Sequence, residues 1–121
     1  MARTLFACFE SGDDAKARSL CAPDLRAIQN GAPPMDLDAL LAFSGAVRRA
    51  VPDFRYENIV CRATPDGFTE EHDVCGSLPD GGEFRIAACV VGDVRDGLIV
   101  ALREYLDSAA AAGLIGALSR R

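Results

Sequence analysis

On the segment 98–107, Val100, Leu102, Glu104 and Leu106 alternate with Ala101, Arg103, Tyr105 and Asp107. Alternate residues of an extended strand share a face, so Glu104 sits on a row that is otherwise apolar. A carboxyl group on such a row stands out. Carboxyls surrounded by hydrocarbon keep their proton to higher pH, and groups of that kind can act as general acid or base near neutrality. The segment 83–94 offers a matching apolar face in Phe84, Ile86, Ala88 and Val90. If both rows line one cavity, Ile86, Ala88, Leu102 and Leu106 become walls for an apolar ligand. Pairing with an arginine at the rim is the alternative for Glu104.

The segment 68–78 carries the other candidates. Thr69, Glu71, Asp73 and Cys75 form one row, and Phe68, Glu70, His72 and Val74 form the other. With the first row inward, Asp73 and Glu71 would converge with Glu104. Carboxylates that close cannot all ionise, so one would keep a proton while another acts as base. With the second row inward, His72 becomes the natural base. A lone histidine also reads as an exposed or interface residue, and Glu70 as part of a solvated edge. Tyr56 and Tyr105 offer hydroxyl donors, although a strand tyrosine more often packs its ring and leaves the hydroxyl at the surface. Asn30, beside Gly31, reads as turn chemistry. The five cysteines (Cys8, Cys21, Cys61, Cys75 and Cys89) never fall in a Cys-x-x-Cys spacing, and there is one histidine. No zinc site or disulfide framework is expected. Reduced thiols used as small apolar packing groups in a cytoplasmic protein fit that pattern.

Four long strands must hold these rows. Pro65-Asp66-Gly67, Pro79-Asp80-Gly81-Gly82 and Arg95-Asp96-Gly97 mark three turns, each Asp-Gly pair suited to the left-handed backbone of a tight hairpin. They separate strands near 54–63, 68–78, 83–94 and 98–107 into an antiparallel meander. Strands of about ten residues exceed the usual five or six. The sheet should therefore twist and curve, with Gly76 and Gly92 as candidate bulge or bend points. The first half is helical. Leu5, Phe6 and Phe9 share one face of a short helix ended by Gly12. Asp13 or Asp14 caps a second helix that Pro23 terminates, and Leu25 to Gln29 reads as a short strand. Asp36 caps a helix over about 37–51, in which Leu37, Leu40, Leu41, Val47 and Val51 follow the helical period and Pro52 is the stop. A last helix, 108–118, is placed to close the mouth. The expected class is α+β: a curved antiparallel sheet wrapped around helices, forming a cone with an internal pocket of the cystatin-like α+β barrel kind.

Length and charge narrow the function classes. A chain of 121 residues has room for one core, so 1–121 is expected to be a single domain. The net charge is −5, with short basic clusters at Arg48-Arg49 and Arg120-Arg121, which offers nucleic acid little to bind. No targeting segment is visible, since the apolar stretch Leu5 to Phe9 is too short for a leader and is cut off by Glu10. The apolar run 108–118 falls short of the roughly 20 residues a membrane span needs. No Gly-rich phosphate loop precedes a helix. These features lead to the expectation of a cytoplasmic protein without metal or cofactor, with a small apolar molecule as partner and neither nucleic acid nor membrane.

The segments GDDAKARSLCAPDL, AVPDF, LPDGGEF, VRDGLIV and REYLD, set among these elements, resemble the SnoaL-like group. That group belongs to the nuclear transport factor 2-like superfamily, with ketosteroid isomerases, polyketide cyclases and limonene-1,2-epoxide hydrolases among its members. The resemblance covers nearly the whole chain and implies the cone-shaped fold, a scaffold that hosts many reactions and also non-catalytic binders. From Thr69 to Asp107 the chain is similar to the limonene epoxide hydrolases without a gap. It reads Thr69-Glu70-x-x-Asp73-Val74, then Leu78-Pro79-x-Gly81, then Arg103-x-Tyr105-x-Asp107. In that register the Asp-Arg-Asp catalytic set of those enzymes falls on Asp73, Glu71 and Glu104, with Glu71 replacing the arginine. Asn30 falls near their water-positioning asparagine, and their first-strand tyrosine has no counterpart.

The resemblance thus implies that the Asp73 row faces inward, with Asp73 as base, Glu104 as partner acid and Glu71 tuning both. Ketosteroid isomerase similarly sets a base Asp beside a protonated one. Asn30, Tyr56, Ile86, Ala88, Leu102 and Leu106 would bind the substrate. The function implied is a cofactor-independent acid/base enzyme of isomerase, cyclase or epoxide hydrolase type. Its substrate would be a small apolar, polyketide-, terpenoid- or steroid-like molecule. The alternative is a non-catalytic ligand-binding or assembly domain on the same scaffold. Relatives often pair through the outer sheet face, so a homodimer is a further expectation.

Overall fold

Capping decides where the N-terminal helices start and stop. Helix α1 (Ala2–Ser11) ends at Gly12, whose φ of 80° turns its N–H onto the Cys8 carbonyl. Asp13 then caps α2 (Asp14–Leu20) by accepting from the Lys16 N–H. Strand β1 (Cys21–Gln29) comes directly after α2, starting earlier than the Leu25 expected from sequence. Pro23 is tolerated there because β1 lies at the sheet edge. Asp36 caps α3 (Leu37–Ala50), accepting from Ala39 N–H at 2.8 Å. The rest of the computed structural model comprises β2 (Arg55–Thr64), β3 (Gly67–Ser77), β4 (Glu83–Arg95), β5 (Leu98–Leu106) and α4 (Ser108–Ser119). Residues 1–119 are described, and the Arg120-Arg121 pair lies outside them.

The sheet has the order β1-β5-β4-β3-β2. From β2 to β5 it is the antiparallel meander that the turn signals predict. β1 departs from that pattern, since it pairs in parallel with β5. The sheet is therefore mixed, and it stays open between its β1 and β2 edges. The edge of β2 is covered by α1: Glu10 accepts from the Tyr56 N–H and Arg3 donates to the Ile59 carbonyl. Such cover blunts an edge that would otherwise invite further strands.

The β3–β4 ladder runs unbroken past Gly76 and Gly92, so neither makes a bulge in it. Each instead clears a side chain: a Cβ on Gly92 would lie 2.3 Å from the Phe68 ring, and one on Gly76 would lie 2.4 Å from Val51. Of the three Asp-Gly pairs, Asp96-Gly97 has both residues at positive φ, 54° and 78°, as a tight hairpin requires.

Helices cover one face of the sheet in two buried clusters. Leu5, Phe6 and Phe9 of α1 and Leu41 of α3 pack with Leu25, Ile99 and Leu102. Val51, Val74, Phe84 and Ile86 pack with Ala111 and Leu114 of α4. Among the described residues no helix is long and apolar enough to cross a membrane.

Candidate active site

Residues of both clusters line a cavity of about 140 Å³, close to the roughly 150 Å³ known to accommodate benzene. Its wall is apolar except for Gln29, Ser44, Tyr56 and Glu104. Strand alternation on β5 brings Glu104 inward, in register with Val90 on one side and Gln29 on the other. The Gln29 amide donates to Glu104 Oε1 at 2.5 Å, which orients the carboxyl without neutralising it. Ser44 is engaged by Arg48, which also donates to the Phe9 carbonyl. The Tyr56 hydroxyl titrates well above its ordinary range, first because it is buried and then because the Glu104, Glu10 and Glu70 carboxylates oppose its ionisation. It therefore remains a hydrogen-bond donor.

Glu104 stands in this wall together with Tyr56, Ile86, Leu102 and Leu106. Ala88 is buried on the same face within the Val74–Ile86 cluster, outside the cavity wall. Asn30 is also outside it. With a φ of 49° its amide bonds both ways to the Leu106 backbone, donating at 3.1 Å and accepting at 2.9 Å, and so extends the β1–β5 pairing.

Asp73 and Glu71 require correction. Burial alternates along β3 so that Phe68, Glu70, His72 and Val74 face the helices, while Glu71 is exposed on the other side. The apolar ends of that row decide the matter, because turning the strand over would bring Phe68 and Val74 into water. Asp73 lies in an outer ion network, accepting from Asn58 at 2.8 Å and from Arg85 at 3.0 Å. The Asn58 amide, then the Arg85 guanidinium, hold its carboxyl below the usual carboxylate range. The carboxylate trio implied by the epoxide hydrolase register is therefore not assembled.

In its place the inner row holds a pair that the sequence suggested for an edge and a surface. Glu70 is fully buried and His72 is 3% exposed. His72 Nδ1 lies 2.7 Å from Glu70 Oε2, and the Cys61 thiol donates to Glu70 Oε1 at 2.9 Å. Burial and the Glu70 carboxylate push the Cys61 thiol up to about 11. The Tyr56 and Phe6 rings pack on the His72 ring at 4.5 and 4.9 Å between centroids. Phe68 and Val74, apolar at both ends of the row, were the available signal for this orientation. Gln29 carried no signal, since its role arises only where β1 meets β5. All five cysteines are free, and among the described residues no group of His, Cys, Asp and Glu is arranged to hold a metal.

A model of the SnoaL-like domain matches residues 2–102. Comparison with curated proteins gives no match. Among solved structures, the chain is similar to IdmH from Streptomyces antibioticus, a candidate polyketide cyclase. The TM-score is 0.82 at 22% identity, covering 95% of both chains. A candidate polyketide cyclase from Xanthomonas campestris pv. campestris superposes with a TM-score of 0.80 at 21% identity, over 93% of each chain. A protein from Catenulispora acidiphila with a ketosteroid isomerase-like fold, solved with trimethylamine, gives 0.78 at 13% identity, over 93% of this chain and 89% of that one. At these identities the likeness is one of fold.

Proposed function

The chain belongs to the SnoaL-like domain family, and from that premise we propose that it is a cofactor-independent acid/base enzyme of the isomerase or cyclase type. The observation that carries this reading is Glu104, the one carboxyl group in a cavity wall that is mostly apolar and whose other polar side chains are Gln29, Ser44 and Tyr56. The cavity volume supports a substrate of about one ring, polyketide- or terpenoid-like in its hydrocarbon character. Larger substrates would have to extend through the mouth beside Phe43 and Ile115, exposed residues that also line the cavity.

In this mechanism Glu104 takes a proton from the carbon beside a substrate carbonyl, and the Tyr56 hydroxyl donates to the oxygen on which charge develops. Glu104 then returns the proton to a different carbon, which leaves an isomer and the starting protonation state. In a cyclisation the same carbanion attacks a second carbonyl before reprotonation. Gln29 keeps the carboxyl aimed. Epoxide hydrolysis by a three-residue set is not part of the proposal, because Glu71 and Asp73 lie on the outer face. The free thiols suit a reducing compartment, and a cytoplasmic setting belongs to the same proposal.

The test uses 3-cyclohexen-1-one, a one-ring β,γ-unsaturated ketone whose conversion to the conjugated isomer is followed by absorbance. Glu104→Gln is expected to lower turnover by about 10²- to 10⁴-fold, with an unchanged circular dichroism spectrum. Equal rates in wild type and Glu104→Gln would overturn the assignment. Binding without turnover in the wild type would favour the ligand-binding domain instead.

A further inference from the structure

We propose that the cavity beside Glu104 binds a tertiary ammonium ion carried on a single hydrocarbon ring, paired with Glu104 through its N–H and resting against the aromatic side chains of the wall. This rests on the reading of the cavity as a ligand site and adds a ligand class to it, independently of the reaction. The wall holds five aromatic side chains, Phe6, Phe9, Phe43, Phe54 and Tyr56. Glu104 is its one carboxyl group, and no lysine or arginine is among the wall residues. Four of the rings touch one another in turn: Phe9 and Phe6 lie 5.4 Å apart between centroids, Phe6 and Tyr56 5.3 Å, and Tyr56 and Phe54 5.1 Å. Aromatic rings attract a cation through their quadrupoles, and more strongly where water is excluded.

The charges around the wall favour the same sign of ligand. Glu104, Glu10 and Glu70 all act on Tyr56 from the acidic side, against Arg48. Arg48 is itself engaged, donating to the Phe9 carbonyl at 2.7 Å and to Ser44 at 3.0 Å. A cavity in such a field draws positive charge. The remaining acceptors select the kind of cation. Glu104 Oε1 already takes the Gln29 amide, which leaves Oε2 for a ligand. A primary ammonium would bring three N–H donors into a mostly apolar space. A tertiary one brings a single donor and wraps the rest of its charge in methyl and ring carbons, which match the hydrocarbon of the wall. Once bound, the cation occupies the carboxyl that a ketone would need, so the two ligands compete.

The probes are N-methylpiperidine, protonated at neutral pH, and methylcyclohexane, its uncharged counterpart in size and shape. Binding of each to the full chain is followed by nuclear magnetic resonance, with the methyl signals of the cavity residues reporting entry. Wild type should bind the amine. Glu104→Gln should weaken amine binding about tenfold or more relative to methylcyclohexane, as the loss of a charged hydrogen-bond partner requires. Phe54→Leu keeps hydrocarbon at that position and removes the ring, and should weaken the amine about threefold on the same scale. If Glu104→Gln does not fold, the Phe54→Leu ratio decides. Entry of methylcyclohexane without the amine, or an amine-to-hydrocarbon ratio that neither variant moves, overturns the inference and leaves the cavity reading standing. Entry by neither probe overturns both.

Discussion

Asp73 and Glu104 are both acids on long strands, and their neighbours give them different work. Asp73 meets Asn58 and Arg85 at the outer face, so its proton is lost early and its charge is spent on an ion network. Glu104 meets Gln29 and apolar side chains and enters no ion pair among the described residues, which leaves the carboxyl available to a ligand. Asp73→Asn is therefore expected to leave 3-cyclohexen-1-one turnover unchanged, and a loss comparable to that of Glu104→Gln would return Asp73 to the mechanism. The cysteines give a second residue-scale prediction. Burial pushes Cys21 up to about 11, with the Cys8 thiol adding to it, and Cys61 is also pushed up to about 11. Thiolate is the reactive form. At pH 8 the native protein should leave Cys21 and Cys61 unmodified by iodoacetamide, and denaturant should open both, as peptide mass mapping would show. Glu104 could be picked out from sequence because its own strand announced an apolar row. Glu70 could not, because its role depends on Cys61 and His72 meeting it.

Caps and turns explain the elements. Asp36 satisfies the Ala39 N–H at the start of α3, and Asp36→Ala should cost about 1 kcal/mol in chemical denaturation. The strands depend on close approach as much as on turn residues. Gly92 lies beneath the Phe68 ring, so Gly92→Ala forces that ring or the strand aside, at about 1–3 kcal/mol. An unchanged denaturation midpoint would show that Phe68 can move freely. Helices α1 to α3, the meander and α4 were legible from capping residues, helical spacing and Asp-Gly pairs. The parallel docking of β1 was not, because no local turn encodes a pairing between segments some 75 residues apart, such as Gln29 with Glu104.

For the molecule as a whole, the outer face is held by charge and the inner face by hydrocarbon. Asp53, Glu57, Asp73 and Asp93 are all held below the usual carboxylate range, by hydrogen bonds from Ser77, Arg85, Asn58 and Arg103 respectively as the largest cause. A carboxyl with a depressed pKa in the folded state stabilises the fold above its unfolded value, and that contribution is lost as pH falls through the folded one. Urea midpoints should therefore be level from neutrality down to pH 5 and fall below about pH 4. A midpoint independent of pH from 7 to 3 would show that the outer network adds nothing to stability.

The amino-acid order alone determined the α+β class, the end of α1 at Gly12, the aspartate caps of α2 and α3, the three hairpins and the apolar row around Glu104, since each rests on interactions within a few residues of the chain; the end of α2 at Leu20, ahead of Pro23, was not legible. Tertiary structure decided which face of β3 turns inward, and with it the exchange of Asp73 and Glu71 for Glu70 and His72. A strand's alternation defines two rows but leaves open which one is buried. That choice belongs to the helices and strands packed against it, here through Phe68 over Gly92 and Val74 within the α4 cluster.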